Sequence, residues 1–102
     1  MMIDRNLYTG LIRLHLLHHA AEGPIFGQAM IDELGRHGYR LSAGTLYPIL
    51  HGMERQGHLR SQQTLNGGRN RRVYRATPAG RKALVTARTR VQELFGEMFE
   101  HD

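Results

Sequence analysis

Four segments of the chain carry apolar residues at helical spacing. They span about residues 5–21, about 26–36, a stretch that begins near residue 42, and residues 78–99. We therefore predict four amphipathic helices. Their apolar stripes are, in chain order, Leu7, Leu11 and Leu14; Phe26, Met30 and Leu34; Leu46, Ile49, Leu50 and Met53; and Leu84, Ala87, Val91, Leu94 and Met98.

Two short runs of alternating residues lie between the third and fourth helices. The first begins at Leu59, and the second covers residues 71–75. Asn66-Gly67-Gly68 lies between them and is typical of a β-hairpin, because these residues adopt positive φ at little steric cost. Gly57 is a suitable C-terminal stop for the third helix, and Thr77 a suitable N-cap for the fourth.

Three helices, a hairpin and a long last helix predict a winged helix-turn-helix. The fold class is mainly α with a small β-hairpin, in the order α-α-α-β-β-α. The third helix would enter a DNA major groove and the hairpin, or wing, would lie along the backbone or in the minor groove. We expect one domain over residues 1–102, with a DNA-binding region at 5–76 and a C-terminal dimerisation helix at 77–102.

The distribution of charge favours an anionic partner. The 102 residues carry a net charge of +5. Between Arg55 and Gln92 there are ten Arg or Lys residues and no Asp or Glu, whereas the last ten residues contain four acidic ones. The alternative is a solvated arginine-rich face, but the basic residues coincide with the predicted hairpin. We therefore expect double-stranded DNA as a partner.

Several classes of protein are disfavoured by composition. There is no cysteine, which excludes disulfides and thiolate chemistry and is compatible with a reducing cytoplasm. No apolar run approaches the ~20 residues of a membrane span. Carboxylates are scattered and no catalytic constellation is evident. We expect a cytoplasmic protein that is not an enzyme, needs no cofactor and has no membrane partner.

The third helix presents a second face that is polar, aromatic and basic. In the first turn, the hydroxyls of Ser42 and Thr45 can bond a phosphate, and Gly44 lets backbone N–H groups approach one closely. Farther along the helix, the side chains of His51 and Arg55 can bind phosphates or base edges. Ser42 or Thr45 could equally serve as the N-cap, and Tyr47 could either touch DNA or prop the helix as a half-buried side chain. The candidate DNA contacts here are Ser42, Gly44, Thr45, Tyr47, His51 and Arg55.

The wing adds three arginines as phosphate ligands, namely Arg69, Arg71 and Arg72. Strand alternation sends Arg71 and Arg72 to opposite faces, so at most one of them should point directly at DNA. Tyr74 is expected to pack under the wing.

The last helix carries a heptad seam and would be ~33 Å long, more than the rest of the domain can cover. We infer a homodimer in which this helix packs with the first helix of the other subunit. The alternative is a helix folded back on its own domain. The expected interface residues are Leu7, Leu11, Leu84, Ala87, Val91, Leu94, Phe95, Met98 and Phe99.

Three histidines in the first helix have metal-chelating spacing. His15 stands three and four residues before His18 and His19, and such pairs can bind a metal ion. No third or fourth ligand is evident, so an exposed polar edge is the simpler interpretation and no metal site is assigned.

Several of these motifs resemble the PadR family of bacterial transcriptional regulators, in its short form with a winged helix and a C-terminal dimerisation helix. The resemblance covers roughly residues 5 to 99. Its residues are Phe26-Gly27, Gly44-Thr45-Leu46-Tyr47-Pro48-Ile49-Leu50, Glu54-Arg55-Gln56-Gly57-His58-Leu59, Gly68-Arg69-Asn70-Arg71-Arg72-Val73-Tyr74-Arg75-Ala76-Thr77 and Ala79-Gly80.

The resemblance implies a function and adds one site residue. In the family, the Gly-Arg-x-Arg wing and the tyrosine of the recognition helix are associated with DNA contact, which implies the same for Gly68, Arg69, Arg71 and Tyr47. Some members respond to small hydrophobic compounds or metal ions, so an effector at the dimer interface is left open. Drug-binding short members use a Trp there, and this chain has none.

We therefore expect a homodimeric repressor that binds a two-fold-related operator. Two alternatives remain: a winged-helix module that binds protein, and a sensor that responds to a metal or a small molecule.

Overall fold

A computed structural model describes residues 4–100, so the last two residues of the predicted segment 77–102 lie outside the described residues. The elements are α1 (Arg5–Glu22), β1 (Ile25–Phe26), α2 (Gly27–Arg36), α3 (Ala43–Arg55), β2 (Leu59–Asn66), β3 (Arg69–Ala76) and α4 (Pro78–Phe99). This architecture confirms the predicted class, a mainly helical winged helix-turn-helix. No helix in the described part of the chain is long and apolar enough to cross a membrane.

The helix ends follow local signals in the sequence. Asp4 caps α1, and its side chain accepts from the backbone N–H groups of Asn6 and Leu7. The Thr77 hydroxyl accepts from the N–H of Gly80, and Pro78 occupies the first turn of α4, where its missing N–H costs nothing. Gly57 has φ +87° just beyond α3, a conformation that glycine adopts without strain.

The sheet has one strand more than the sequence predicted. Its order is β1-β3-β2, and β1 pairs with the inner end of β3 through Ile25 opposite Tyr74 and Phe26 opposite Val73. The predicted start of α2 at Phe26 is one residue early, because Phe26 is extended and α2 begins at Gly27. A two-residue strand has no periodicity of its own and is defined only by its pairing partner.

The second strand of the wing is longer than predicted, since it begins at Arg69 rather than at residue 71. β2 and β3 pair in register from Leu59 opposite Ala76 to Asn66 opposite Arg69. The turn is therefore only Gly67 and Gly68, both with positive φ, as a two-residue hairpin turn requires.

The core lies where α1, α2 and α3 meet the inner part of the sheet. Its fully buried side chains are contributed by every layer: Leu16, Leu34, Leu46, Leu50, Leu59 and Tyr74. Leu84 of α4 joins this core at 7% exposure. Leu84 is one of the residues predicted to lie in a dimer interface, and its burial shows that the first turns of α4 fold against their own subunit.

Candidate nucleic-acid interface

The core fixes which face of α3 is presented to solvent. Leu46, Leu50 and Met53 are buried, so the opposite side of the helix is exposed. Most of the residues predicted to contact DNA on this helix are exposed, namely Ser42, Gly44, Thr45, His51 and Arg55. Gly44, His51 and Arg55 recur along one side of α3, whereas Thr45 lines a groove between α3 and the start of α1.

The first turn of α3 leaves backbone groups available. Ser42 takes the N-cap position but makes no side-chain cap hydrogen bond. Its hydroxyl instead lies 3.4 Å from the Thr45 hydroxyl, and Thr45 lies inside the helix. The N–H groups of Ala43 and Gly44 therefore point out of a positive helix end, a suitable place for a phosphate.

Pro48 leaves a backbone carbonyl of the same helix without its usual hydrogen-bond donor. It lies inside α3 and is exposed. Because proline has no N–H, it cannot donate to the carbonyl of the residue four positions earlier, Gly44. Gly44 therefore offers both an N–H and a carbonyl outside the helical hydrogen-bond pattern, near the end that faces solvent.

Tyr47 is not part of the exposed face. It is half-buried and packs against the core cluster, and its hydroxyl end lies against Gly27 at the start of α2. Its ring centroid is 6.3 Å from that of His51. Tyr47 was predicted either to contact DNA or to support the helix as a half-buried side chain, and this position matches the second role.

The arginines of the wing separate by face, as alternation predicted. The Arg71 guanidinium carbon lies 5.1 Å from the centroid of the Phe26 ring, within the range of a cation–π interaction. Arg72 turns the other way and donates from Nη1 to the Ser61 hydroxyl oxygen at 2.8 Å. Arg69 is exposed beside the Gly67–Gly68 turn.

A hydrogen-bonded link joins the wing to α3. The Ser61 backbone N–H donates to Glu54 Oε2 at 3.0 Å, and the Ser61 hydroxyl lies 2.9 and 2.8 Å from Oε1 and Oε2. Since Arg72 donates to the same hydroxyl, the link reaches across both strands of the wing. The sequence does not predict this link, because no spacing rule connects the end of a helix to a strand seven residues later.

The predicted interface residues of α4 form an exposed apolar stripe beyond Leu84. Leu94 is 54% exposed and Phe99 66%, and Phe95 and Phe99 pack together with ring centroids 5.1 Å apart. Ala87 is half-buried, at the point where α4 leaves the core. On α1, the two predicted interface residues are also exposed. The exposed stripe comprises Leu7, Leu11, Val91, Leu94, Phe95, Met98 and Phe99.

The histidines of α1 lie beside the end of α2. His15 stacks on His37 with centroids 5.0 Å apart and contacts the edge of Tyr39. Burial and the neighbouring His37 lower the pKa of His15. His18 and His19 instead approach Glu22, a residue that was not among the predicted metal ligands although it follows the two histidines at helical spacing.

Comparisons with known proteins agree with this geometry. The chain is 52% identical over 94 residues to the transcriptional regulator Rv3488 of Mycobacterium tuberculosis, an alignment that covers 92% of this chain and 88% of that protein. The crystal structure of a PadR family transcriptional regulator from Eggerthella lenta superposes with a TM-score of 0.76 at 30% identity, covering 95% of this chain and 88% of that one. A Streptococcus transcriptional regulator shares the fold, with a TM-score of 0.82 at 18% identity over 92% and 94% of the two chains.

The family model of the PadR-like transcriptional regulators matches residues 16–86, which include α2, α3, the wing and the start of α4. The family that this model describes and the relative from Mycobacterium tuberculosis are transcriptional regulators rather than enzymes. With that match and a 52% identical regulator covering most of its length, this chain belongs to the PadR-like family of transcriptional regulators.

Proposed function

We propose that this protein binds a two-fold-related DNA operator as a homodimer and represses transcription there. The observation that carries the proposal is the exposed face of α3, whose uncapped first turn lies on the same side as His51 and Arg55. That face is linked to a basic wing through Glu54, Ser61 and Arg72. A helix and a ribbon held together in this way suit a major groove and its flanking backbone.

Within this proposal the residues take different parts. Ser42, Thr45 and the backbone at Gly44 bind a phosphate at the N-terminus of α3, and His51 and Arg55 reach base edges or the next phosphate. Gly68 lets the wing tip approach the DNA backbone closely, and Arg69 and Arg71 bind its phosphates.

Two residues that were expected to contact DNA act indirectly instead. Tyr47 sets the position of α3 from beneath, because its hydroxyl end lies against Gly27. Arg72 holds the wing to α3 through Ser61. Both therefore contribute to DNA affinity without adding a phosphate contact of their own.

The dimer rests on the exposed apolar stripe of α1 and α4. Five large apolar side chains in the last three turns of α4 are at least 47% exposed, and monomeric proteins rarely expose so contiguous a patch. Packing α4 against α1 of a second copy covers both halves of the stripe. The resulting two-fold symmetry matches two half-sites about one helical turn, or a multiple of it, apart.

Within this proposal, repression requires only that the dimer occupies its operator. A bound dimer excludes polymerase from the DNA that it covers, so no separate activating surface is required. This function places the protein in the cytoplasm, where a bacterial chromosome lies.

A groove between α1 and α4 supports a small hydrophobic effector as a further partner. It encloses about 560 Å³ and is lined by apolar side chains including Leu11, Leu14 and Phe95. An effector seated there would touch the residues proposed to pack in the dimer, and could release DNA by changing the spacing of the two subunits.

The proposal is tested by fluorescence anisotropy with a duplex from upstream of the protein's own gene and a scrambled duplex, over a salt series. We expect both to bind at low salt and the cognate duplex to bind more tightly. Its affinity should fall roughly 10³-fold or more between 50 and 200 mM salt, as six or more phosphate contacts require. Failure of both duplexes to bind at low salt would instead favour a protein-binding module.

A further inference from the structure

Three side chains near the C-terminal end of α1, those of His18, His19 and Glu22, bring possible metal-ligand atoms close together. His18 Nε2 lies 3.7 Å from Glu22 Oε2, and His19 Nδ1 lies 4.0 Å from Glu22 Oε1. All three groups place a ligand atom within 4.8 Å of the others. These separations are too long for hydrogen bonds, so the three groups share a space without satisfying one another.

The separations are close to those of a metal site. Zinc binds histidine nitrogen and carboxylate oxygen at about 2.0–2.2 Å in a tetrahedron, which puts neighbouring ligand atoms about 3.4 Å apart. Side-chain rotations would have to bring the two observed His–Glu22 separations of 3.7 and 4.0 Å, and a His18–His19 separation of up to 4.8 Å, to that value. His18 and Glu22 have side chains 50% and 66% exposed, so an ion can enter and a water molecule can complete the tetrahedron.

We propose that His18, His19 and Glu22 form a binding site for a divalent first-row transition-metal ion, with Zn²⁺ as the best fit. Two imidazoles and one carboxylate are a ligand set that zinc accepts. The site differs from the pairs considered in the sequence analysis, because the ring of His15 stacks on His37 and Tyr39.

The other nitrogen of His19 gives independent support. His19 Nε2 lies 3.7 Å from Glu33 Oε2 in α2, and Glu33 is itself held by hydrogen bonds from Arg36 and His37. Metal-binding histidines commonly direct their second ring nitrogen toward a carboxylate, which fixes the tautomer and the ring. A small rotation of the His19 ring would bring Glu33 from 3.7 Å into hydrogen-bond distance, and a bound ion would then connect α1 to the end of α2.

The proposal does not depend on DNA binding and is tested without DNA. Tag-free protein is titrated with Zn²⁺ against a competing fluorescent chelator, for the native chain and for the variants His18→Ala and Glu22→Gln. The control is His58→Ala, which removes a histidine from the turn between α3 and β2. Circular dichroism verifies that each variant is folded.

We expect the native chain and His58→Ala to bind one ion per chain. Each site variant should bind Zn²⁺ at least roughly tenfold more weakly, since loss of an outer partner alone costs 10–100-fold in metal affinity. The proposal is overturned if the native chain does not compete for Zn²⁺. It is equally overturned if His18→Ala and Glu22→Gln bind as tightly as the native chain, or if His58→Ala weakens binding as much as they do.

Discussion

The hydroxyl end of Tyr47 lies against Gly27, so closely that a Cβ atom at Gly27 would overlap Oη and Cζ of the ring. Gly27 is the first residue of α2, and Tyr47 is in the second turn of α3. The missing side chain thus lets the two helices of the helix-turn-helix approach each other. This contact sets how far α3 projects from the domain.

Replacing Gly27 with Ala should destabilise the fold. We expect the free energy of unfolding to fall by about 1–3 kcal/mol, the usual cost of overpacking, measured by urea denaturation. Gly35→Ala in the same helix is the matched control, because a Cβ there has no atom within 4 Å. It should be neutral or stabilise by up to about 1 kcal/mol. Equal effects of the two changes would contradict the packing role of Gly27.

Removing Arg69 should change the salt dependence of DNA binding. If each subunit of a dimer loses one phosphate contact, the slope of log affinity against log salt becomes shallower by roughly 2. Anisotropy titrations at four salt concentrations give this slope. Arg13→Ala removes an exposed arginine from α1 and should leave the slope unchanged, and a slope unaltered by Arg69→Ala would remove Arg69 from the interface.

Ser61→Ala should weaken DNA binding without changing that slope. The substitution disconnects Glu54 from Arg72 but removes no phosphate ligand. Because hydrogen bonds to charged groups contribute about 1.5–3 kcal/mol, we also expect a measurable loss of stability in urea. The exposed neighbour Gln62 provides the control, since Gln62→Ala breaks none of these bonds. A shallower salt slope in Ser61→Ala would argue against a purely positional role.

A charge in the α4 stripe should separate the proposed dimer. Phe95→Glu places a carboxylate where the second copy would pack, at a residue already 49% exposed, so each subunit should stay folded. Sedimentation velocity should show a shift from dimer to monomer. Val85→Glu is the matched control, because Val85 is 65% exposed on the same helix but lies off the stripe. A native chain that sediments as a monomer would contradict the dimer.

The carboxylate of Glu33 should make stability depend on pH in acid. Hydrogen bonds from Arg36 and His37 lower its pKa from 4.5 to about 2. Because the folded-state pKa is depressed, the ionised form stabilises the fold above pH 4.5, and this contribution is lost as pH falls from 4.5 toward 2. Urea melts across this range should show a flatter pH profile for Glu33→Gln than for the native chain. Parallel profiles would show that the two hydrogen bonds do not stabilise the fold.

The sequence predicted those features that are determined by neighbouring residues. The predicted start of α4 agrees with the structure, because Thr77 and Pro78 mark it within two positions. The position of the wing turn was also predicted, because two glycines are adjacent there. Helical spacing also identified the buried positions Leu46, Leu50 and Met53.

Features that depend on distant segments were not predicted. The strand β1 exists only through its pairing with β3, and Leu84 is buried only because α4 folds onto its own subunit. Tyr47 lies at the edge of the apolar stripe of α3, so helical spacing alone does not determine whether its side chain points to solvent or packs against the core. Its contact with Gly27 decides that direction, and this contact joins two helices whose separation no local pattern encodes.

Because of the strand order β1-β3-β2, the base of the wing is more stable locally than its tip. At Val73 and Tyr74, β3 is paired on both edges, whereas from Arg69 to Arg72 it is paired only with β2. Amide hydrogen exchange should therefore be slow at the base of the ribbon and fast toward Gly67 and Gly68. A tip that opens locally can follow grooves of different width while its base stays fixed beside α3. In the proposed DNA complex, the sequence-dependent shape of the flanking DNA would then contribute to the choice of operator.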